Sequence, residues 1–284
     1  MPRIVCGLLV LGLLASPALA QQPEQVWSIS EEIDRPESAY YHAPSKTIFV
    51  SVMIGASDEK DGKGFLAKVG LDGKVIEQNW VTGLSAPKGM RVHGNTLWVS
   101  DIDRLLGIDL ETGKIVHEVK PEGAQFLNDV ATGDDGTVYV SDMRANKILT
   151  WKDGKLSTLY EAPLVQAPNG LLVEKGKLIV GCRSGDDEKA HLYAIDLASG
   201  KASRLSPAAF GNADGIESDG AGGYLVSDWP GATVTHIPAQ GEAKVILKAN
   251  QQGTADIAYV VEENLLVVPH MVEGRVAAYR WTKE

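Results

Sequence analysis

Phe126-Leu127-Asn128-Asp129, a short polar turn, Val138-Tyr139-Val140-Ser141-Asp142, then Lys147-Ile148-Leu149-Thr150-Trp151 and Leu156-Ser157-Thr158-Leu159-Tyr160 form the stretch that decides the fold. Each run is short and rich in β-branched and aromatic residues, and turn formers such as Lys152-Asp153-Gly154-Lys155 separate the runs. That is the signature of four antiparallel strands joined as a meander.

The same unit recurs along the chain. Ala86-Pro87-Lys88-Gly89 leads to Leu97-Trp98-Val99-Ser100-Asp101, and Ala167-Pro168-Asn169-Gly170 leads to Leu178-Ile179-Val180-Gly181-Cys182. Asn212-Ala213-Asp214-Gly215 leads to Tyr224-Leu225-Val226-Ser227-Asp228. Two weaker copies frame these: Arg35-Pro36-Glu37-Ser38 before Ile48-Phe49-Val50-Ser51-Val52, and Thr254-Ala255-Asp256-Ile257 before Leu266-Val267-Val268-Pro269-His270. A polar residue thus returns at 37, 88, 128, 169, 214 and 256. A period of this length with four short strands is that of a propeller blade. The sixth copy ends one strand short, at Arg275-Val276-Ala277-Ala278-Tyr279-Arg280-Trp281, and Gln25-Val26-Trp27-Ser28-Ile29-Ser30 supplies a spare strand. The expectation is an all-β, six-bladed β-propeller over residues 21–284, a single domain closed by pairing of its N- and C-terminal strands.

Residues 1–20 read differently. Arg3, the apolar run from Ile4 to Leu14 and the small-residue end Ala18-Leu19-Ala20 predict a cleaved signal peptide, hence a periplasmic or secreted protein. The apolar run is too short for a stable membrane span. Cys182 would then be the one remaining cysteine, leaving no internal disulfide. A net charge of -10 argues against the clustered positive field that nucleic acid needs and against attraction to an anionic membrane surface, so no nucleic-acid partner is expected, and no membrane span either, the apolar run being too short.

In a propeller the first strand of each blade lines the central channel, so six distant residues should form one ring: Glu37, Lys88, Asn128, Asn169, Asp214 and Asp256. The ring is dominated by oxygen donors, which suit one hard divalent cation, calcium first, then magnesium or manganese, with zinc as the outer alternative. The competing arrangement has Lys88 supply the positive charge by pairing with Glu37 or Asp256. A second column, Val52, Asp101, Asp142, Cys182, Asp228 and His270, should surround the mouth, where the repeated Ser-Asp reads as a turn-capping device. His270 and the following positions Arg183 and Trp229 break the repeat on this face and are candidates for substrate contact. Loops at 55–64 and 184–189 would enlarge blades one and four and partly roof the mouth. Cys182, in a strand, is expected to be buried and inert. Gly-x-Ser-x-Gly, His-Glu-x-x-His and Walker-type motifs are missing from the sequence.

The pattern resembles the senescence marker protein/gluconolactonase family of lactonases and, more distantly, the paraoxonases. The resemblance implies a six-bladed propeller with a catalytic divalent metal in its channel, opening a small-molecule lactone or related ester. It places Glu37, Asn169 and Asp214 as metal ligands, Asp214 also as the proposed base, and Asn128 beside metal and substrate. Residues 38–41, Ser-Ala-Tyr-Tyr, depart from the Gly-Pro and Trp usual after the family's first-blade Glu, and Lys88-Gly89 replaces the His-Gly of paraoxonases. On this reading Asp214 or Asp256 accepts the proton of an attacking water, and Lys88 donates to the carbonyl or leaving oxygen or acts as base. Asn128 orients substrate or water, with Arg183, Trp229 and His270 touching the substrate. The alternative is an exported propeller that binds a ligand or protein partner without turnover.

Overall fold

The computed structural model describes residues 22–31, 33–185, 191–206 and 211–283. The predicted signal peptide lies outside the described residues, as does most of the predicted loop at 184–189. Strand β1 spans Glu24–Ile29. Blade one comprises β2 (Arg35–His42), β3 (Thr47–Met53), β4 (Gly64–Gly70) and β5 (Val75–Leu84). Blade two comprises β6 (Pro87–His93), β7 (Thr96–Asp101), β8 (Arg104–Asp109) and β9 (Ile115–Val119). Blade three holds β10 (Leu127–Thr132), β11 (Val138–Asp142), β12 (Lys147–Lys152) and β13 (Lys155–Tyr160). Blade four holds β14 (Val165–Glu174), β15 (Lys177–Gly185), β16 (Leu192–Asp196) and β17 (Ala202–Arg204). Blade five is β18 (Ala213–Ser218), β19 (Tyr224–Asp228), β20 (Thr233–Ile237) and β21 (Lys244–Lys248). Blade six is β22 (Ala258–Val260), β23 (Leu265–His270) and β24 (Arg275–Arg280), with β1 as its outer strand.

The sheets are antiparallel meanders, and their first strands touch in sequence around a ring that returns from β22 to β2. The expected six-bladed propeller is therefore the observed fold. Its closure is also as expected, because β1 pairs antiparallel with β24, from Glu24 opposite Arg280 to Ile29 opposite Val276. Trp27 anchors the closing strand to the next blade by donating its indole N–H to the Leu71 carbonyl at 2.8 Å. The core lies between blades: Val50 and Ala67 of blade one pack on Ala258, Val267 and Ala278 of blade six, all fully buried. This follows from the alternation in each middle strand, where both faces are covered by neighbouring blades and only the outer strands such as β9 stay exposed. Cys182 is buried and unoxidised. Among the described residues no helix is long and apolar enough to cross a membrane.

A bulge recurs at the start of the first strand in five blades. Register shifts separate Pro36 from Ser38, Pro87 from Met90, Leu127 from Val130, Pro168 from Leu171 and Ala213 from Ile216. A bulge leaves an amide without a ladder partner and re-aims the adjacent side chain. The second-strand serine supplies the missing partner in blades one, three and five: Ser51, Ser141 and Ser227 accept through Oγ from the amides of Ser38, Asp129 and Gly215 at 2.7–2.9 Å, whereas Ser100 of blade two donates to the Asn128 carbonyl. The aspartate caps the segment that enters the same strand. Asp101 accepts from the amides of Ser85 and Ala86, and Asp142 from those of Gln125 and Phe126. The turn-capping expectation therefore describes the aspartate, and the serine has the separate task of sealing the bulge.

Candidate functional site

The bulges aim Glu37, Lys88, Asn128, Asn169 and Asp214 into one cavity of about 280 Å3 on the propeller axis. Each is nearly buried, with Lys88 only 1% exposed. Five of the six predicted ring residues thus meet. Asp256 does not. The bridge between Thr254 and His270 matches that between Ala213 and Asp228, so Ala255, not Asp256, occupies the ring position in blade six. Asp256 falls one residue deeper, at the level of Ser38, Gly89, Asp129, Gly170 and Gly215. Its carboxylate accepts from Ser38 Oγ at 2.6 Å, and its backbone bonds to Glu37 and Ala39 of blade one. The proposed base role of Asp256 is corrected accordingly, since it does not line the cavity.

Glycine is required at three of these six deeper positions, Gly89, Gly170 and Gly215, because there the neighbouring first strands nearly touch. A Cβ on Gly89 would stand 2.6 Å from the Asp129 Cα, and one on Gly215 would stand 2.6 Å from the Ile257 amide nitrogen. The two acids placed there, Asp129 and Asp256, sit above Arg91, which reaches from blade two to Glu217 of blade five with Nη1 2.8 Å from Oε1. These blades oppose each other, so the ion pair crosses the axis beneath the cavity. Arg91 also stacks on Tyr40, 5.2 Å from its ring centroid.

Electrostatics divides the carboxylates from the lysine. Burial, reinforced by the charge of Asp214, raises the Glu37 carboxyl well above the usual range. Burial and the nearby Asp256 push Asp214 up to about 7, opposed by the Asn169 hydrogen bond and the charge of Arg183. Asp129 also rises to about 7 through burial, against the pull of Arg91. Asp256 is raised by burial and by Asp129. Burial lowers Lys88. Its ammonium is not ion-paired to Glu37 or Asp256 among the described residues; it donates to the carbonyls of Ala86 at 2.8 Å and Ser57 at 3.0 Å and lies 4.5 Å from the Phe126 ring centroid. In place of the ion pair of the competing arrangement, Lys88 has backbone carbonyls and an aromatic face.

Two ring oxygens have no protein donor. Glu37 Oε2 and Asn169 Oδ1 are buried without a hydrogen-bond partner. Asn169 turns its Nδ2 to donate to Asp214 Oδ1 at 2.9 Å, which leaves Oδ1 as the unfilled acceptor. A pair of orphaned oxygens beside a third, strongly destabilised carboxylate is a donor set that fits a hard cation. Among the described residues no three His, Cys, Asp or Glu side chains converge as a metal cluster.

Arg183 and Trp229 line the same cavity, as expected, whereas His270 does not. His270 is 2% exposed, its Nε2 lies 2.9 Å from the Tyr279 hydroxyl, and burial lowers it to about 4. It belongs to the packing between β23 and β24, which corrects its assignment to substrate. Arg35, Phe126, Met53, Met143 and Met271 complete much of the wall and were not singled out from sequence. The segment 54–63 lies over the mouth: Arg35 donates to the Gly55 carbonyl, Lys88 to that of Ser57, and Arg144 pairs with Asp58 at 2.9 Å. The predicted roof of blade one is therefore present and tied to blades two and three.

The fold and its axial cavity define the class, a six-bladed propeller with a polar site at one end of a plugged channel. No family model matches the chain, and no curated protein matches it. Solved structures do. A gluconolactonase from Xanthomonas campestris superposes with a TM-score of 0.68 at 15% identity, covering 94% of this chain and 98% of that one. A virginiamycin B lyase from Staphylococcus aureus gives 0.61 at 12%, covering 90% and 99%. A chain of a nidogen/laminin complex gives 0.61 at 13%, covering 78% and 91%. At these identities the likeness is one of fold, shared by enzymes and by a propeller in a protein complex.

Proposed function

We propose that this protein is a lactonase, a carboxylic ester hydrolase that opens lactones or related esters in the axial cavity. The observation that carries this reading is the pair of unpartnered buried oxygens, Glu37 Oε2 and Asn169 Oδ1, beside Asp214. Glu37, Asn169 and Asp214 would hold a divalent ion, calcium first. When bound, such an ion polarises a carbonyl oxygen and lowers the cost of the oxyanion, a contribution of several kcal/mol. The gluconolactonase among the structural neighbours supports the same chemistry.

The chain's own groups account for the proton. Water adds through oxygen to the carbonyl carbon as its proton passes to the Asp214 carboxylate. The ring C–O bond then breaks, and the proton goes to the departing alkoxide, leaving a hydroxy acid. In the cation-free site burial and Asp256 hold this carboxyl at about 7, and a bound cation would lower it, leaving Asp214 ionised to take the proton at neutral pH. Lys88 has committed two of its three N–H donors, and the third can serve a substrate oxygen. Asn128 lines the cavity with its amide, without a protein hydrogen bond among the described residues, and is suited to orient water or substrate. Asp256, turned to Ser38, takes no part.

A lactone panel assayed with and without chelator tests this, together with metal analysis of the purified protein. Turnover lost on chelation, restored by calcium, and abolished in a folded Asp214→Asn variant is the expected result. Metal binding with no turnover under any divalent ion would overturn the hydrolase reading and favour a binding role.

A further inference from the structure

Above the carboxylates the cavity changes character. In each blade the residue following the second-strand column is Met53, Ile102, Met143, Arg183, Trp229 or Met271. All but Ile102 line the cavity. Three of these are methionines in a chain with five in all, one of them Met1. Blade packing does not call for methionine, since strands favour β-branched and aromatic residues. An unbranched thioether does suit a wall that must shape itself to an irregular apolar guest. Met53, Met271 and Trp229 pack in one apolar cluster at the mouth, and the Phe126 ring extends this surface inward toward Lys88.

A polyhydroxylated ring needs a hydrogen-bond partner for each hydroxyl it loses to burial. At the six collar positions themselves the wall offers thioethers and an aromatic face, with weak or no acceptors, while Arg35, Ser57 and Asn212 supply polar groups elsewhere on the lining. Arg183 is the exception, the collar's single charge. It is exposed, no ion pair or hydrogen bond engages its side chain among the described residues, and it stands close enough to pull on the Asp214 carboxyl.

We propose that the substrate is a lactone with an apolar arm that carries a carboxylate, the arm held by the methionine collar and Trp229 and the carboxylate by Arg183. This rests on the lactonase reading for the reaction, but the selection itself is a matter of binding. Titration calorimetry of the full chain with calcium present, using non-hydrolysable lactams, separates the two. The probes are gluconolactam, a δ-lactam with a hexyl arm, and the same lactam with a terminal carboxylate.

Each buried methylene is worth roughly fourfold in affinity, so burial of about three to four of the six arm carbons should make the hexyl lactam bind about 100-fold more tightly than gluconolactam. The terminal carboxylate should add about tenfold, and Arg183→Gln should remove that gain. Met143→Gln, which keeps the length of the side chain, should lower the hexyl preference about tenfold, and Trp229→Ala provides an independent check. Gluconolactam binding as tightly as the hexyl compound, no binding by any lactam, or a carboxylate gain indifferent to Arg183 would overturn the proposal. Tight hexyl-lactam binding without hydrolysis of the matching lactone would support the selection of the arm by the collar while removing the lactonase reading.

Discussion

Arg91 and Glu217 stand on opposed blades and join across the propeller axis, Nη1 to Oε1, at 2.8 Å. The pair is separated by 126 residues in sequence and closes the channel beneath the cavity. It also gives the buried Asp129 and Asp256 a cation below them.

Removing one partner should therefore cost more than removing both. Arg91→Met leaves Glu217 uncompensated and removes the charge that lowers Asp129 and Asp256, for an expected loss of about 3–5 kcal/mol at pH 8. The double change Arg91→Met/Glu217→Met should recover part of that loss. Denaturant unfolding of the three variants in a double-mutant cycle reads the coupling. A coupling near zero would show that the pair does not plug the channel under load.

The bulge mechanism predicts a graded series. Ser227→Ala deprives the Gly215 amide of its acceptor and should cost about 1–3 kcal/mol. Gly215→Ala should be worse, because the added carbon meets the Ile257 amide nitrogen at 2.6 Å and backbone cannot step aside. Thermal melts that rank the two in the opposite order would remove close strand approach as the reason for glycine there.

The ring was legible wherever the repeat carried its own phase marks. Pro36, Pro87 and Pro168 precede ring residues, and a Val-Ser-Asp strand follows Lys88, Asn128 and Asp214, so five positions fall correctly. Blade six misleads because Thr254-Ala255-Asp256 imitates Asn212-Ala213-Asp214 by one residue. Only the pairing of Thr254 with His270 fixes the offset. Bulges hide from periodicity in the same way, since one extra residue flips the following side chains. Arg91 and Glu217 carry no local mark at all, each looking like an ordinary strand charge. The methionine collar did leave a trace, one position beyond the column that contains His270, where Arg183 and Trp229 already break the repeat.

His270 provides a prediction with opposite outcomes for packing and for catalysis. Its folded pKa of about 4 lies below the ordinary 6.5. The unfolded chain therefore takes up a proton that the native imidazole refuses, and this part of stability is present above pH 6.5 and lost as pH falls toward 4. Relative to His270→Gln, the parent protein should lose up to about 3 kcal/mol across that window. Lactone turnover per folded molecule should be unchanged in the variant. A large fall in turnover with an unaltered pH–stability profile would return His270 to the substrate site.

The cavity carboxylates predict a cation response whose sign depends on pH. Asp214 has a folded pKa of about 7 against 3.8 in the unfolded chain, mainly through burial and then Asp256. Without a bound cation the native state retains a proton that the unfolded chain has released. The associated stability is full below pH 3.8 and is lost as pH rises through about 7. Asp214→Asn removes that ionisation while keeping an acceptor for Asn169, and should raise the stability of the calcium-free protein at pH 8 by on the order of 2 kcal/mol. Calcium should reverse the relation for the parent protein, since a divalent ion favours the ionised carboxylates. At a hundredfold excess over Kd it should add about 2.7 kcal/mol at pH 8 and much less at pH 5, where protons compete for Glu37 and Asp214. Calorimetric melts at both pH values, with calcium or chelator, measure all four states. A calcium shift that persists in Asp214→Asn at full size, or that is larger at pH 5 than at pH 8, would place the ion away from these oxygens.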